Sequence, residues 1–143
     1  MFWTVRFVFF WLLWLIFADK KRWRELIPVC IFASLLGSLS DILIHYYPLW
    51  SYDNTMWAEL SDDLSVYPVV VYLFIQWLPT NRSRWILLSY WFVWTLFAIL
   101  IEIYHLKTGY MSYPTGEWNL LCSYVADWLL FWIFFRFHKS FSN

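Results

Sequence analysis

Charged residues and glycine are both scarce in this chain of 143 residues. Asp, Glu, Lys and Arg make up only 14% of it, whereas about a quarter is usual for a soluble domain. Three glycines are too few for a glycine-rich phosphate-binding loop, and the basic residues form no long tract of the kind that binds nucleic acid. The composition therefore excludes an ordinary soluble domain and argues against a nucleic-acid partner.

Cysteine is also rare, and its placement argues against a disulfide. Cys30 and Cys122 lie in different apolar segments, which we expect near opposite faces of a membrane. A disulfide needs Cα atoms within about 7 Å. The sequence therefore predicts two buried thiols.

Apolar and aromatic residues are abundant, at 62% and 26% of the chain. They form five apolar segments, at about 2–18, 26–47, 65–78, 85–106 and 120–137. As a helix, segment 85–106 is about 33 Å long, enough to cross a bilayer core of about 30 Å. The sequence predicts an all-α integral membrane protein, with one transmembrane domain over 1–143 and five transmembrane helices.

The basic residues predict how these helices cross the membrane. Eight of the ten fall on one face of the five-helix arrangement, namely Lys20, Lys21, Arg22, Arg24, Arg82, Arg84, Arg136 and Lys139. The positive-inside rule makes that face cytoplasmic. We therefore expect an outer N-terminus and a cytoplasmic C-terminus.

The outer loop before the third segment has its own pattern. At helical spacing, residues 54–64 place Trp57, Leu60 and Leu64 opposite Glu59, Asp62 and Asp63. Such a division predicts a short amphipathic helix lying at the membrane interface.

The sequence also resembles itself when it is displaced by 61 positions, so that position 41 falls on position 102. This superposes Asp41 on Glu102, Ser51 on Ser112, and Trp57 on Trp118. One interpretation is a duplicated helix–loop–helix with an added first helix. The first repeat is then formed by segments 26–47 and 65–78, and the second by segments 85–106 and 120–137. The alternative interpretation is chance matching in an aromatic-rich chain.

Four ionisable residues fall within the outer half of the predicted membrane region: Arg6, Asp41, Glu102 and Asp127. The three acids lie about 6–10 Å below the outer boundary. Charged side chains avoid lipid, so we expect these acids to face one another. Three acids against one Arg leave a surplus of negative charge, which favours bound protons or a bound cation.

Further polar residues extend this candidate ion or proton site. His45 and His105 lie near Asp41 and Glu102 at helical spacing, and Tyr124 lies near Asp127. The Glu102–His105 spacing also suits a metal, although a di-iron bundle needs more glutamates. Each group has a structural alternative, because Arg6 can extend to the surface and the acids can simply fix helix packing.

Several short stretches resemble a family of small uncharacterised multi-pass membrane proteins from spore-forming Gram-positive bacteria. The stretches are 33–37 with Asp41, 45–52, Tyr67-Pro68, and 102–109. The resemblance implies a multi-pass architecture in a bacterial plasma membrane. It implies no catalytic residues, because the family has no established activity.

Three functions stay open at this point. The acidic cluster binds or conducts a proton or small cation, or the chain is a structural or partner-binding membrane subunit, or it is an embedded metalloenzyme. No catalytic triad or nucleophile elbow is present, so an enzyme is not favoured. No cofactor is indicated, and lipid, a second copy or a partner subunit are the expected contacts.

The predicted topology can be tested by labelling single cysteines on intact cells. In a background without Cys30 and Cys122, a cysteine at Glu117 should react from outside, and cysteines at Lys21 or Ser83 should not, because those positions are expected on opposite faces. Labelling at Lys21 or Ser83, with none at Glu117, contradicts the arrangement.

Overall fold

The computed structural model describes residues 1–141, which are helical over most of their length. The α-helices are α1 (Phe2–Phe17), α2 (Trp23–Tyr46), α3 (Thr55–Ser61), α4 (Tyr67–Gln76), α5 (Arg84–Thr108) and α6 (Leu120–Phe141). A 3₁₀ turn at Lys20–Arg22 leads into α2. The all-helical prediction is therefore confirmed.

Three helical stretches are long and apolar enough to cross a membrane: Lys20–Tyr46, Arg84–Thr108 and Leu120–Phe141. They correspond to the predicted segments 26–47, 85–106 and 120–137, and they fit the predicted membrane class. α1 has only 16 residues, and the helix near 65–78 is divided into shorter pieces. Length and composition alone therefore do not identify these two as spans.

The predicted interfacial helix is the first half of a longer helix. Between α3 and α4 the chain forms a π-helical turn, Asp62–Val66, and Ser61, Asp62 and Tyr67 keep right-handed helical backbone angles. Residues 55–76 thus form one continuous helix. The prediction of a separate interfacial helix was wrong, because no break separates it from α4.

The faces of this helix are also the reverse of those of a soluble amphipathic helix. Trp57 and Leu64 are more than half exposed, while Asp62 and Asp63 are 7% and 9% exposed. In a membrane, lipid accepts the apolar face, and polar side chains find their partners inside the bundle. The acidic face of the π turn therefore points inward.

An aromatic and aliphatic core fills the end of the bundle near Gln76. α2 packs against α4, and α5 packs against α6. The ring of Phe74 on α4 lies 5.1 Å from Trp91 and 4.6 Å from Phe131 between ring centroids. Gln76 closes this end, because its amide donates to the Phe17 carbonyl at 2.9 Å.

A two-stranded ribbon joins the loops at the opposite end. β1 (Ser51–Tyr52) pairs antiparallel with β2 (Met111–Ser112), with Ser51 opposite Ser112. The ring centroids of Trp50 and Trp118 lie 5.2 Å apart beside it. The ribbon ties the α2–α3 loop to the α5–α6 loop.

Gly37 allows the closest approach between α2 and the helix 55–76. A Cβ atom at this position would lie 2.6 Å from Asp63 Oδ1 and 2.7 Å from the Tyr67 ring. Contacts that short force a neighbour to move, and overpacking of this kind typically costs about 1–3 kcal/mol.

We therefore expect Gly37→Ala to lower stability by about 1–3 kcal/mol, although alanine is the better helix former by about 1 kcal/mol. Thermal unfolding in mild detergent measures the change. Val8→Ile is a control, since Val8 is half exposed on α1 and the variant adds a methyl group to the surface. A more stable Gly37→Ala protein would contradict the close approach.

Candidate functional site

Arg6 on α1 is buried, and four of the five N–H donors of its guanidinium are engaged. Nη2 forms an ion pair with Asp62 Oδ1 at 2.7 Å and donates to the Ala58 carbonyl at 3.0 Å. Nε donates to Ser61 Oγ at 3.1 Å, and Cζ lies 4.5 Å from the centre of the Trp3 ring. Arg6 thus attaches α1 to α3 and to the π turn.

His105 completes the surroundings of Arg6. Its Nε2 lies 3.2 Å from Arg6 Nη1, and its ring stacks on Trp3 at 5.6 Å between centroids. A guanidinium only donates, so Nε2 must accept, and the imidazole is neutral in this arrangement. The geometry assigns the ring proton to Nδ1.

The acid that pairs with Arg6 differs from the three candidates of the sequence analysis. Asp62 had been assigned to the outer loop, and none of the candidates makes the ion pair. A signal was available in the chain: Ala58, Ser61, Asp62 and Ser65 follow helical spacing, and all four are buried. A stripe of small and polar residues marks an internal face in a membrane bundle.

The polar groups surround a cavity of about 140 Å³. Arg6, Asp62 and His105 border it together with Glu102 from α5 and Asp127 from α6. Its aromatic lining is Tyr52, Tyr67, Phe97, Phe131 and Phe134. The structure therefore brings four predicted site residues, Arg6, Glu102, His105 and Asp127, to one space.

Glu102 and Asp127 border this cavity without a basic partner. Their charges are close enough to interact, and neither forms a salt bridge within residues 1–141. Glu102 lies beside Ser123 and the Tyr113 hydroxyl, yet its Oε2 has no hydrogen-bond partner among the described residues. Two carboxylates in such a place do not both stay charged without a proton or a cation.

Asp41 belongs to a different polar group. It lies beside Asp63, and Asp41 Oδ2 and Asp63 Oδ1 are both buried without a hydrogen-bond partner among the described residues. Ser38 Oγ donates to Asp63 Oδ2 at 3.1 Å, and Ser34 Oγ donates to the Asp63 carbonyl at 2.6 Å. Because carboxylates only accept, a contact between two of them requires a shared proton.

The remaining predicted residues lie away from the cavity. His45 Nε2 is 3.2 Å from Glu59 Oε1, and the imidazole is more than half exposed. The Tyr124 ring centroid lies 6.3 Å from that of Phe92, and Tyr124 does not line the cavity. Asp41, His45 and Tyr124 are therefore separate from the other four.

Two tyrosines on the loops supply hydroxyl groups next to the acids. Burial raises the pKa of Tyr52 well above its ordinary value, and the nearby Asp62 adds to the effect. Burial likewise raises the pKa of Tyr113, which adjoins Glu102. Both phenols therefore stay protonated and available as donors.

The cavity geometry does not suit a metal centre. No three His, Cys, Asp or Glu side chains converge as a metal site anywhere in residues 1–141. Glu102 and His105 do border the same cavity, but the His105 Nε2 lone pair is directed to Arg6. The E-x-x-H spacing therefore contributes to a polar network.

Comparison with known protein families, with curated proteins and with solved structures found no match. The resemblance to membrane proteins of spore-forming bacteria therefore stays a prediction.

The Arg6–Asp62 pair can be tested by a double-mutant cycle. Arg6→Leu should cost about 3–5 kcal/mol, because it leaves Asp62 buried without a partner. Arg6→Leu with Asp62→Leu should cost less than the two single changes added together, with a coupling of about 0.5–3 kcal/mol. Unfolding in mild detergent provides the free energies.

Asp127→Asn is the matched control, since Asp127 borders the same cavity but makes no ion pair with Arg6. Its effect should add to that of Arg6→Leu. Strong coupling to Asp127, with none to Asp62, contradicts the assigned pair.

Proposed function

We propose that the chain crosses a bacterial plasma membrane five times, with the N-terminus outside and the C-terminus in the cytoplasm. The continuous helix 55–76 supports the third span, because its 22 residues extend about 33 Å. α1 extends about 24 Å, which a locally thinner bilayer accommodates. The clustered Lys and Arg residues support the orientation.

We also propose that the bundle arose by duplication of a helix–loop–helix. The displacement of 61 relates Asp41 on α2 to Glu102 on α5, and each of these lies near a second acid, Asp63 and Asp127 respectively. The second acids are not themselves related by the displacement. The ribbon adds support, because it pairs Ser51 with Ser112, which the 61-residue displacement relates. α1 is then an addition, held by Arg6.

We propose that the protein binds a proton or a small cation between Glu102 and Asp127. The observation that carries this proposal is that Arg6, the guanidinium at the cavity, is already paired with Asp62. The two remaining acids then need a positive charge from outside the chain. Depth favours exchange with the outer side, since Glu102 lies near the outer end of α5.

The packing beyond the cavity favours binding over conduction through one chain. Phe74, Trp91 and Phe131 fill the bundle between the cavity and the inner end. A proton path across the membrane needs polar groups or water in this region. Conduction would therefore require a second copy or a partner membrane subunit.

A structural role is the second candidate, and Asp41 with Asp63 supports it. Ser34, Ser38 and the surface of Gly37 enclose Asp63. A shared proton there would hold α2 against the helix 55–76. In this view, the Asp41–Asp63 pair fixes helix packing. The Glu102–Asp127 pair, which borders the cavity, exchanges its ligand.

Infrared spectroscopy of the purified protein in lipid tests the ligand of the Glu102–Asp127 pair. At neutral pH without sodium, we expect a protonated-carboxyl C=O band that decreases in both Glu102→Gln and Asp127→Asn, because the pair shares a proton. Glu117→Gln is the control, since Glu117 is exposed in a loop.

The response of this band to sodium then distinguishes a bound proton from a bound cation. Loss of the band on exchanging N-methylglucamine for sodium indicates a cation, and an unchanged band indicates a proton. If the band is the same in the wild type, in Glu102→Gln and in Asp127→Asn, and does not change with sodium, the proposed site is contradicted.

A further inference from the structure

A second and much larger cavity, of about 910 Å³, lies beside the polar one. It is a groove between α1, α4 and α5, and α1 itself packs mainly against α3, the π turn and α4. Its lining is almost entirely apolar and includes Phe9, Leu73, Val93 and Leu100. Phe9, Val93 and Leu100 are at least half exposed, so the groove opens sideways, where lipid chains lie.

The groove adjoins the polar cavity along a shared border. Five residues line both spaces: Arg6, Val70, Phe97, Ile101 and His105. On α5, Phe97, Ile101 and His105 follow at intervals of four and form one ridge. A ligand entering from the bilayer thus meets only this ridge, Val70 and Arg6 before it reaches Glu102 and Asp127.

The polar cavity has the chemistry of an ammonium site. Tyr52, Tyr67 and Phe131 line this cavity together with Glu102 and Asp127. Aromatic cages recognise quaternary ammonium groups through cation–π attraction. Two acids without a basic partner supply the opposite charge.

The same cavity is unsuited to an anionic headgroup. The charge of Arg6 is paired with Asp62, and four of its five N–H donors go to Asp62, Ser61, Ala58 and His105. A phosphate would find at most one remaining N–H, and it would lie beside two acids. The volume of about 140 Å³ is close to the roughly 150 Å³ of an engineered cavity that takes benzene. A compact alkylammonium head needs such a space, and a proton or a bare cation does not.

We propose that the groove and the polar cavity together bind a lipophilic ammonium compound taken from the bilayer. The alkyl chain lies in the groove between α1 and α5. The ammonium head passes the Phe97–Ile101 ridge and lies between the aromatic rings and the Glu102–Asp127 pair. This inference rests on the proposed cation site and names an organic ligand for it.

Isothermal titration of the protein in lipid nanodiscs, with empty nanodiscs subtracted, tests the inference. The probes are decyltrimethylammonium, tetramethylammonium and decanol, which separate the charged head from the chain. Decyltrimethylammonium should bind saturably, and the other two at least about tenfold more weakly, because each lacks one of the two interactions. Equal binding of decanol and decyltrimethylammonium overturns the ammonium site.

Variants test the polar cavity and the groove separately. Glu102→Gln and Asp127→Asn, each checked for wild-type thermal unfolding, should weaken decyltrimethylammonium about tenfold or more. Val93→Trp fills the groove and should weaken decyltrimethylammonium without changing the infrared carboxyl band. Val125→Trp is the matched control, since Val125 is half exposed on α6 and lines neither space.

The outcomes for this inference and for the ion site are separable. If the carboxyl band responds to Glu102→Gln and Asp127→Asn while decyltrimethylammonium binds both variants as it binds the wild type, the ammonium inference is wrong and the proton or cation site stands. If Val93→Trp and Val125→Trp act alike on decyltrimethylammonium, the groove is not its binding surface. If neither the band nor the ammonium responds to the acid variants, both proposals fail.

Discussion

The buried pair between Arg6 and Asp62 is the interaction on which the outer half of the bundle depends. A guanidinium in an apolar setting is tolerated only when its charge and donors are satisfied, and Asp62, Ser61, Ala58 and His105 together meet that need. The pair fixes the depth and rotation of α1. It also withdraws the positive charge from the other acids, so their state depends on what they bind.

The two remaining acid pairs, Asp41–Asp63 and Glu102–Asp127, have the same carboxyl groups but differ in how closely other residues pack around them. Asp63, opposite Asp41, is enclosed by serine hydroxyls and by the bare backbone of Gly37, so little can enter. Glu102 and Asp127 border an open volume with aromatic walls. The first pair leaves no space for more than a proton, whereas the second borders a volume that fits the proposed cation. Local packing, more than acidity, therefore distinguishes the acid pair that lies between two packed helices from the proposed binding site.

The sequence was sufficient for the all-helical class and the three longest helices. It also selected Arg6, Glu102 and Asp127, which border one cavity, but it grouped Asp41 with them, and Asp41 does not line that cavity. It failed at residues 54–64, where an apolar face was assumed to lie on the membrane and an acidic face in water. The structure turns Asp62 and Asp63 inward, because lipid is the outer solvent and polar groups seek each other inside. Periodicity locates the two faces of a helix, but it does not say which one meets protein.

The π turn at Asp62–Val66 has a consequence for how this chain tolerates change in length. A π turn holds one residue more than an α turn, and here two adjacent acids serve different neighbours, Asp62 the first helix and Asp63 the second. Deleting one residue within the turn would restore a regular α-helix and keep the faces of the flanking segments in register, whereas a deletion elsewhere in the helix 55–76 would rotate one part against the other by about 100°. What a deletion in the turn would remove is the simultaneous placement of one acid towards α1 and the next towards α2.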